Sequence, residues 1–512
     1  MTRDRTVALL GLAAVGLVAA MPFFVSTTFF GDDHLFLAFA RHVGNPFLPF
    51  VRDMHGGEYY RPVWMLVWWL LARPWLGGLW PFALAALALH TAASLLVAAL
   101  LRSLGRPFSV AASAGGLMFL APQNVAAALW FSATTDLLAT VFVLGSLIAL
   151  LRGRRLIAAL AALAAFLCKE SAFVLPLLSM MTLGFRERTL SDGSSERRRS
   201  LGREIAPQLV LLAAVCFARR AVLHGWGGSG DPHAGLAGTS LQIFAGFAQT
   251  FTGEAALPRP LAFAVGTMIL ALTVFGIARG GRGTGRPAAP RTPLAFAVAA
   301  AAPLFAAGWA VGARYYYLPA VGLCWAVAEA LAAIDVGQAA RITLAGALLV
   351  VGGLQAAERR QEVISYDRRV AAARRAVAAG LAAGHQVFHV DGGIKDLDLA
   401  VKEEPAIEAG GVLVLGDVPA SFALVPPKLE VAAATLAAVP PLPPSGAYHF
   451  GNVRVVGLAR RGDEPNLDET LARFPDLRFI RLRSIQGGQV IARDMTEEIK
   501  RRLDGASDDG QD

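Results

Sequence analysis

An apolar run that ends in two adjacent carboxylates opens the chain: residues 7–33 read VALLGLAAVGLVAAMPFFVSTTFFGDD. A bilayer span needs about 20 apolar residues, and Val7–Phe30 supplies that length. Arg3 and Arg5 precede it, but the run is longer than a usual signal-peptide core and further spans follow, so we expect a retained anchor. Two carboxylates at the end of a span are costly there and indicate a functional site; the alternative is a solvated loop that caps the helix end.

The whole chain has the composition of a multi-span membrane protein. Its 512 residues are 55% hydrophobic and 17% charged, and the mean hydropathy is +0.51. The net charge of +9 comes from arginines clustered in short loops between apolar runs, which is typical of cytoplasmic loops. We therefore predict a bilayer as partner and no nucleic acid. The cysteines Cys168, Cys216 and Cys324 lie far apart and indicate neither a disulfide framework nor a metal site.

The arginine-rich loops set the predicted topology, an α-helical protein with about eleven transmembrane helices and a cytoplasmic N-terminus. The loop 186–204 is then cytoplasmic, while the first outer loop, 31–79, and everything after residue 357 lie outside. Within that outer loop, Pro62–Leu71 and Trp75–Trp80 are too short to cross and are expected along the interface. The expected spans are 7–30, 81–101, 107–121, 133–152, 156–168, 171–185, 205–222, 261–278, 293–311, 318–334 and 342–356, with Pro122–Ser132 on the outer surface.

The tail differs from residues 1–356, the transmembrane domain. Residues 357–512 are predicted to form a small soluble α/β domain on the periplasmic side, with α+β as the alternative. It begins with an amphipathic helix at Glu358–Ala383 and ends in a disordered acidic segment, Gly505–Asp512. Strand-sized apolar runs lie at Gln386–Val390, Val412–Leu415, Phe422–Val425 and Val453–Leu458.

Ionisable and aromatic residues concentrate at the predicted outer ends of the spans. A carboxylate can accept the proton of an attacking hydroxyl, Lys and Arg bind phosphate, and Tyr or Trp can stack on a sugar or a prenyl chain. This combination indicates transfer of a sugar from a polyprenyl-phosphate donor whose tail stays in the bilayer. The residues are Asp32-Asp33, Tyr59-Tyr60-Arg61-Pro62, Trp130, Asp136, Lys169-Glu170 and Arg314–Tyr317.

The same residues carry a resemblance to a known family. Over about residues 28–185 and 312–330 the chain resembles the GT-C membrane glycosyltransferases, in particular the membrane parts of the transmembrane and tetratricopeptide-repeat O-mannosyltransferases and related bacterial enzymes. The family pattern has Glu where this chain has Ala126 and Arg where it has Thr134, and no 34-residue repeat follows. The matching motifs are Asp32-Asp33, Tyr60-Arg61-Pro62, His90, Pro122 to Trp130 to Asp136, Cys168-Lys169-Glu170-Ser171 and Arg314–Pro319.

The resemblance implies an inverting glycosyltransferase on the periplasmic face of a bacterial inner membrane. Asp32 is expected to be the general base, with Asp33 orienting the acceptor or a metal. The acceptor, whether glycan, lipid or protein, stays open, and so does a divalent cation, because branches of the family differ in metal use. Donor-phosphate contacts are expected from Lys169, Arg314 and Arg61, and further substrate contacts from Tyr60, His90, Trp130, Asp136, Glu170, Tyr316 and Tyr317.

Other functions and purely structural roles stay open. A transporter or flippase for lipid-linked sugars is the main alternative, but such proteins usually carry polar breaks near the bilayer midplane and a repeat of spans. A membrane-anchored assembly protein would not require the ionisable residues of the first outer loop. The structural alternatives are that Asp33 caps a helix or pairs with Arg61, His90 is a core histidine, Asp136 caps a span, Glu170 pairs with Lys169 or Arg314, and Tyr315–Tyr317 belong to an aromatic belt.

Overall fold

A computed structural model of the chain describes residues 29, 33, 36–37, 40, 44–53, 59–73, 78–190, 196–225, 236–252, 264, 266–271, 273–274, 291–307, 313–333, 338–385, 387–391, 413–415, 447–450, 453–456, 477–484, 489–498 and 501. Of the first predicted span only Phe29 is among them. Asp32, the predicted strand Phe422–Val425 and the acidic end Gly505–Asp512 lie outside the described residues, as does half of the predicted span 261–278.

All secondary-structure elements described before residue 386 are helices. Short 3₁₀ helices lie at Leu48–Phe50, Phe131–Ala133, Glu170–Val174 and Ala313–Tyr316. The α-helices are α1 (Pro62–Leu71), α2 (Trp80–Ser103), α3 (Phe108–Leu120), α4 (Pro122–Ala128), α5 (Thr134–Leu151), α6 (Arg155–Cys168), α7 (Leu175–Leu190), α8 (Glu196–Leu223), α9 (Leu236–Gln249), α10 (Arg291–Ala300), α11 (Ala302–Ala307), α12 (Tyr317–Ala333) and α13 (Gln338–Ala382).

Four of the described helical stretches are long and apolar enough to cross a membrane. They are Trp80–Ser103, Phe131–Leu151, Gly202–Leu223 and Arg314–Ala333, and each lies where the sequence predicts a span. Shorter apolar helices such as α3 and α6 also lie at predicted spans. The count of eleven and the sidedness of the loops stay predictions.

One continuous helix takes the place of two predicted elements. The span 342–356 and the amphipathic helix Glu358–Ala383 are both parts of α13, which has 45 residues and is therefore about 68 Å long at 1.5 Å per residue. No proline interrupts the sequence where it changes from apolar to arginine-rich, so nothing forces the helix to end there. The expected domain boundary at residues 356–357 thus falls inside a helix.

Two segments that the sequence predicts at the membrane surface are buried within the protein. In α1, Trp64 and Trp68 are buried and pack edge-on or tilted against Phe36, and Trp68 also packs against Phe82. The segment 122–132 is buried as well, because α13 and the 3₁₀ helix before α12 pack against α4. Both segments therefore contribute to the core around the site described below.

Six short strands of the tail form one mixed sheet. They are β1 (Val387–Asp391), β2 (Leu413–Leu415), β3 (Ala447–Phe450), β4 (Val453–Val456), β5 (Leu477–Ser484) and β6 (Val490–Asp494), in the order β3-β4-β2-β1-β5-β6. Strand β1 is parallel to β2 and β5, and β2 to β4, whereas β3–β4 and β5–β6 are antiparallel pairs. Strands β3, β5 and β6 were not predicted. The α/β class of this domain stays a prediction, because most of the chain between the strands lies outside the described residues.

A glycine brings two membrane helices into close contact. A Cβ atom at Gly322 of α12 would lie 2.5 Å from the backbone nitrogen of Ala297 and 2.7 Å from the carbonyl oxygen of Pro293, both in α10. Small residues at such contacts let helix backbones approach within the bilayer. The packing of α10 on α12 therefore requires a residue without a side chain at position 322.

We expect Gly322→Ala to lower the unfolding temperature of the detergent-solubilised protein, because the added methyl group forces the two helices apart at a cost of about 1–3 kcal/mol. Gly145→Ala in α5 is the matched control, since a Cβ there meets nothing within 4 Å and alanine is the better helix former. Equal unfolding temperatures for the two variants would contradict this packing.

Candidate functional site

The carboxylate of Glu170 is shared by two guanidinium groups. Arg61 donates to Oε2 from Nε at 3.0 Å and from Nη2 at 2.7 Å, and Arg219 donates from Nη1 to Oε1 at 2.5 Å. Burial raises the pKa of the Glu170 carboxyl, but the two guanidinium groups outweigh it and hold the pKa at about 2. These two arginines, rather than Lys169 or Arg314, are the ion-pair partners of Glu170.

The neighbouring residue, Lys169, is paired separately. Its Nζ donates to Oδ2 of Asp136 at 2.5 Å, and both residues are buried. Lys169 has an extended backbone between α6 and the following 3₁₀ helix, whereas Asp136 lies in the first turn of α5. Burial lowers the pKa of the Lys169 ammonium to about 8; Asp136 opposes this shift, and Arg61 and Arg314 add to it.

Asp33 is anchored to the segment between α4 and α5. Its side chain is buried, and Oδ1 accepts a hydrogen bond from the backbone N–H of Ser132 at 2.6 Å. The hydroxyl of Ser132 accepts a longer hydrogen bond, 3.5 Å, from Nη1 of Arg314. The second carboxylate of the acidic pair therefore lies beside one of the predicted phosphate-binding arginines.

Aromatic rings connect the cations of the site. The guanidinium carbon of Arg314 lies 4.4 Å from the ring centroid of Trp130, and that of Arg359 lies 5.0 Å from the same centroid. Arg314 also donates to the Tyr315 hydroxyl at 3.2 Å, and Nζ of Lys169 lies 4.9 Å from the Tyr315 ring centroid. Cation–π contacts thus link Lys169 to Arg314 through the Tyr315 ring, and Arg314 to Arg359 through the Trp130 ring.

His90 and Tyr317 lie in the core and bond to each other. Nε2 of His90 is 3.0 Å from the carbonyl oxygen of Phe119, and Nδ1 is 2.6 Å from the Tyr317 hydroxyl. Because a carbonyl can only accept, Nε2 carries the proton, and Nδ1 of the neutral ring accepts from Tyr317. This is the contact pattern of a buried core histidine.

Two further tyrosines of the predicted set make packing contacts. The Tyr60 hydroxyl donates to the carbonyl oxygen of Phe50 at 3.1 Å, which ties the start of α1 to the 3₁₀ helix Leu48–Phe50. The Tyr316 hydroxyl donates to the carbonyl oxygen of Gln242 at 2.8 Å, and its ring lies directly over Gly246, where it leaves no room for a side chain. Both hydroxyl groups are thus committed to backbone partners.

Two arginines of the site were missed in the sequence. Arg219 is followed by Arg220 near the end of an apolar run, and an arginine inside a span is a signal that could have identified it. Arg359 is one of many arginines in the amphipathic half of α13, and no sequence pattern distinguishes it from the others.

The described residues of the site carry more positive than negative charge. We call the basic members the cationic cluster: Arg61, Lys169, Arg219, Arg314 and Arg359. Against these five stand four carboxylates, Asp33, Asp136, Glu170 and Glu362, the last of which pairs with Arg359. Such an excess favours an anionic ligand. The described residues contain no group of three His, Cys, Asp or Glu side chains that could hold a metal, and metal dependence stays open because Asp32 lies beyond them.

We expect Arg219→Ala to destabilise the protein by about 1–3 kcal/mol, because it removes a charge-assisted hydrogen bond from a largely buried ion pair. Arg220→Ala is the matched control: the same charge is lost at an exposed position, so its effect should stay within about 0.5 kcal/mol. Thermal unfolding in detergent measures both. Equal losses of stability in the two variants would show that the ion pair between Arg219 and Glu170 does not stabilise the protein.

No protein-family model and no curated protein sequence matches the chain. Among solved structures, ArnT from Cupriavidus metallidurans in the apo state is similar over 97% of this chain and 99% of its own, with a TM-score of 0.51 and 13% sequence identity. ArnT from the same organism bound to undecaprenyl phosphate gives a TM-score of 0.47 and 16% identity over 89% and 98% of the two chains. The chain is therefore a multi-pass membrane protein with the fold of ArnT.

Proposed function

We propose that the chain is a membrane glycosyltransferase that takes a sugar from a polyprenyl-phosphate donor and transfers it to an acceptor hydroxyl. The observation that carries the proposal is the cationic cluster around Trp130 and Tyr315, which lies beside Asp33 in a GT-C fold. Breaking the bond between sugar and phosphate leaves negative charge on the phosphate, and fixed cations stabilise that charge.

Within the cationic cluster we assign the phosphate contacts to Lys169 and Arg314. Both lie against Tyr315. The ammonium of Lys169 has three N–H groups, of which the structure assigns one to Asp136. Arg61, in contrast, directs two donors at Glu170, so we assign it the role of holding Glu170 rather than the donor phosphate.

The acidic pair supplies the base in this proposal. Asp32 takes the proton of the acceptor hydroxyl, whose oxygen then attacks the anomeric carbon on the side opposite the phosphate. The carbon–oxygen bond to the phosphate breaks, and the polyprenyl phosphate leaves with the electron pair, so the configuration inverts. The assignment of Asp32 rests on the resemblance. For Asp33, the hydrogen bond from Ser132 supports a positioning role.

We place the reaction on the periplasmic face of a bacterial inner membrane, with the tail on the same side. Asp136 lies at the start of α5 and Lys169 directly after α6, whereas the connection between these helices carries Arg152, Arg154 and Arg155 at their other ends. Arginine-rich connections stay on the cytoplasmic side, which supports a site at the opposite membrane surface.

We expect Asp32→Asn to lower the transfer rate by about 10²–10⁴, because the amide cannot accept the proton. Asp33→Asn should lose less activity than Asp33→Ala, since an asparagine oxygen can still accept the N–H of Ser132. The measurement is transfer of label from a panel of polyprenyl-phosphate sugars by the purified protein. A fully active Asp32→Asn protein would refute the base. A wild-type protein that moves lipid-linked sugar across vesicles without consuming any donor would be a transporter.

The donor requirement should depend on pH through Lys169. Its ammonium is protonated below its pKa of about 8 and loses its charge above it, while the phosphodiester of the donor stays charged. The apparent donor KM should therefore be flat below pH 8 and rise above it, by roughly tenfold to a hundredfold. Lys169→Arg should remove the rise, because a guanidinium stays protonated. A rise of equal size in that variant would exclude Lys169 as its source.

A further inference from the structure

The indole of Trp130 is where three separate parts of the chain meet. Trp130 lies in the turn between α4 and α5, Arg314 comes from the 3₁₀ helix before α12, and Arg359 comes from α13. Both guanidinium groups lie within 5.0 Å of the ring centroid. Trp130 and Arg314 belong to the proposed donor site, whereas Arg359 has no role in it so far.

The position of Arg359 is fixed from its own helix. Its Nη1 donates to Oε2 of Glu362, three residues further along α13, at 2.5 Å. The Arg359 side chain is 14% exposed and that of Glu362 is 50% exposed, so water screens the carboxylate more than the guanidinium. Glu362 can therefore orient Arg359 while leaving much of its positive charge directed at the indole.

Two like charges beside one ring repel each other, and the negative face of the indole offsets that repulsion. The ring is thus held from two parts of the chain, and moving Arg359 away would remove one of the two cations that hold the indole, while Arg314 would keep its contacts with Ser132 and Tyr315. The helix that brings Arg359 there packs against α4 and also contacts β5 and β6. It is a direct mechanical connection between the sheet and the site.

We propose that Arg359 is a positioning residue for donor binding: it holds the indole of Trp130 against Arg314, so that α13 completes the donor site. This inference rests on the proposed function, which supplies the identity of the donor. It gives the tail a role in that function, because any shift of α13 by the sheet moves Arg359 relative to Trp130.

The first test measures KM and kcat separately for an Arg359 variant. Arg359→Gln should raise the apparent donor KM about threefold to thirtyfold, the range of a partly desolvated cation–π contact, with kcat and the acceptor KM nearly unchanged. Arg359→Lys, which keeps a cation, should restore most of the loss. Arg360→Gln removes the same charge from an exposed neighbouring position and should behave as wild type. An unchanged donor KM in Arg359→Gln, or an equal rise in Arg360→Gln, would overturn the proposal.

The second test asks whether Arg359 acts through Trp130. In a Trp130→Leu background, Arg359→Gln should add no further rise in the donor KM; additive effects would overturn the proposal. If the wild-type protein transfers no sugar, binding is measured instead. Undecaprenyl phosphate is added to the wild type, to Arg359→Gln, to Trp130→Leu and to the double variant, and the rise in unfolding temperature is compared. A rise that is lost equally in both single variants and the double variant supports the role of Arg359 while the transferase function fails. A rise that Arg359→Gln retains refutes it.

Discussion

Two adjacent residues of opposite charge, Lys169 and Glu170, have to find counter-charges within an apolar helical bundle, and the site is built around that requirement. Removing an ion from water costs several kcal/mol unless it is paired with good geometry. Asp136 neutralises Lys169, and Arg61 and Arg219 neutralise Glu170. These five paired side chains thus hold the start of α1, the start of α5, the end of α6 and the end of α8 together.

This pairing divides the basic side chains into two groups. Arg61 and Arg219 are committed to Glu170 and hold helices together. Lys169 and Arg314 lie against Tyr315, and Arg314 also lies against Trp130. An aromatic face stabilises a cation without neutralising it, so the rings leave the charge of Arg314 available for the proposed donor phosphate, while Lys169 shares its charge with Asp136. A site for an anionic lipid headgroup needs both groups, because unsupported cations would repel each other and separate.

The sequence singled out several of the side chains that the structure brings together, such as Asp33, Lys169 and Arg314, but not which charges pair. Apolar run lengths place helices such as α2 and α3 to within a few residues, although α13 extends far beyond its predicted span. Polar residues at the run ends are expected to share a membrane surface. The partner of each charge depends on helix rotation and on close approaches, such as the one at Gly322, which run lengths do not contain. For the same reason Glu170 was expected to meet Lys169 or Arg314 and instead meets Arg61 and Arg219. Strand β5 reads LRFIRLRS, in which the alternation of apolar residues with arginine breaks between Phe479 and Ile480, so it carries no sustained period-two signal.

The departure from the family pattern at Thr134 acquires a structural explanation. Its hydroxyl accepts from Nε1 of Trp64 at 3.1 Å and donates to the carbonyl oxygen of Phe131 at 2.6 Å, within the buried core that α1 forms. An arginine at this position would have to break both bonds and bring a charge into that core. Position 134 thus contributes packing in this chain, and the basic charge near Trp130 comes from Arg314 and Arg359, which belong to parts of the chain far from the motif itself. A motif in one segment does not contain these contacts, because the segments meet only in the folded protein.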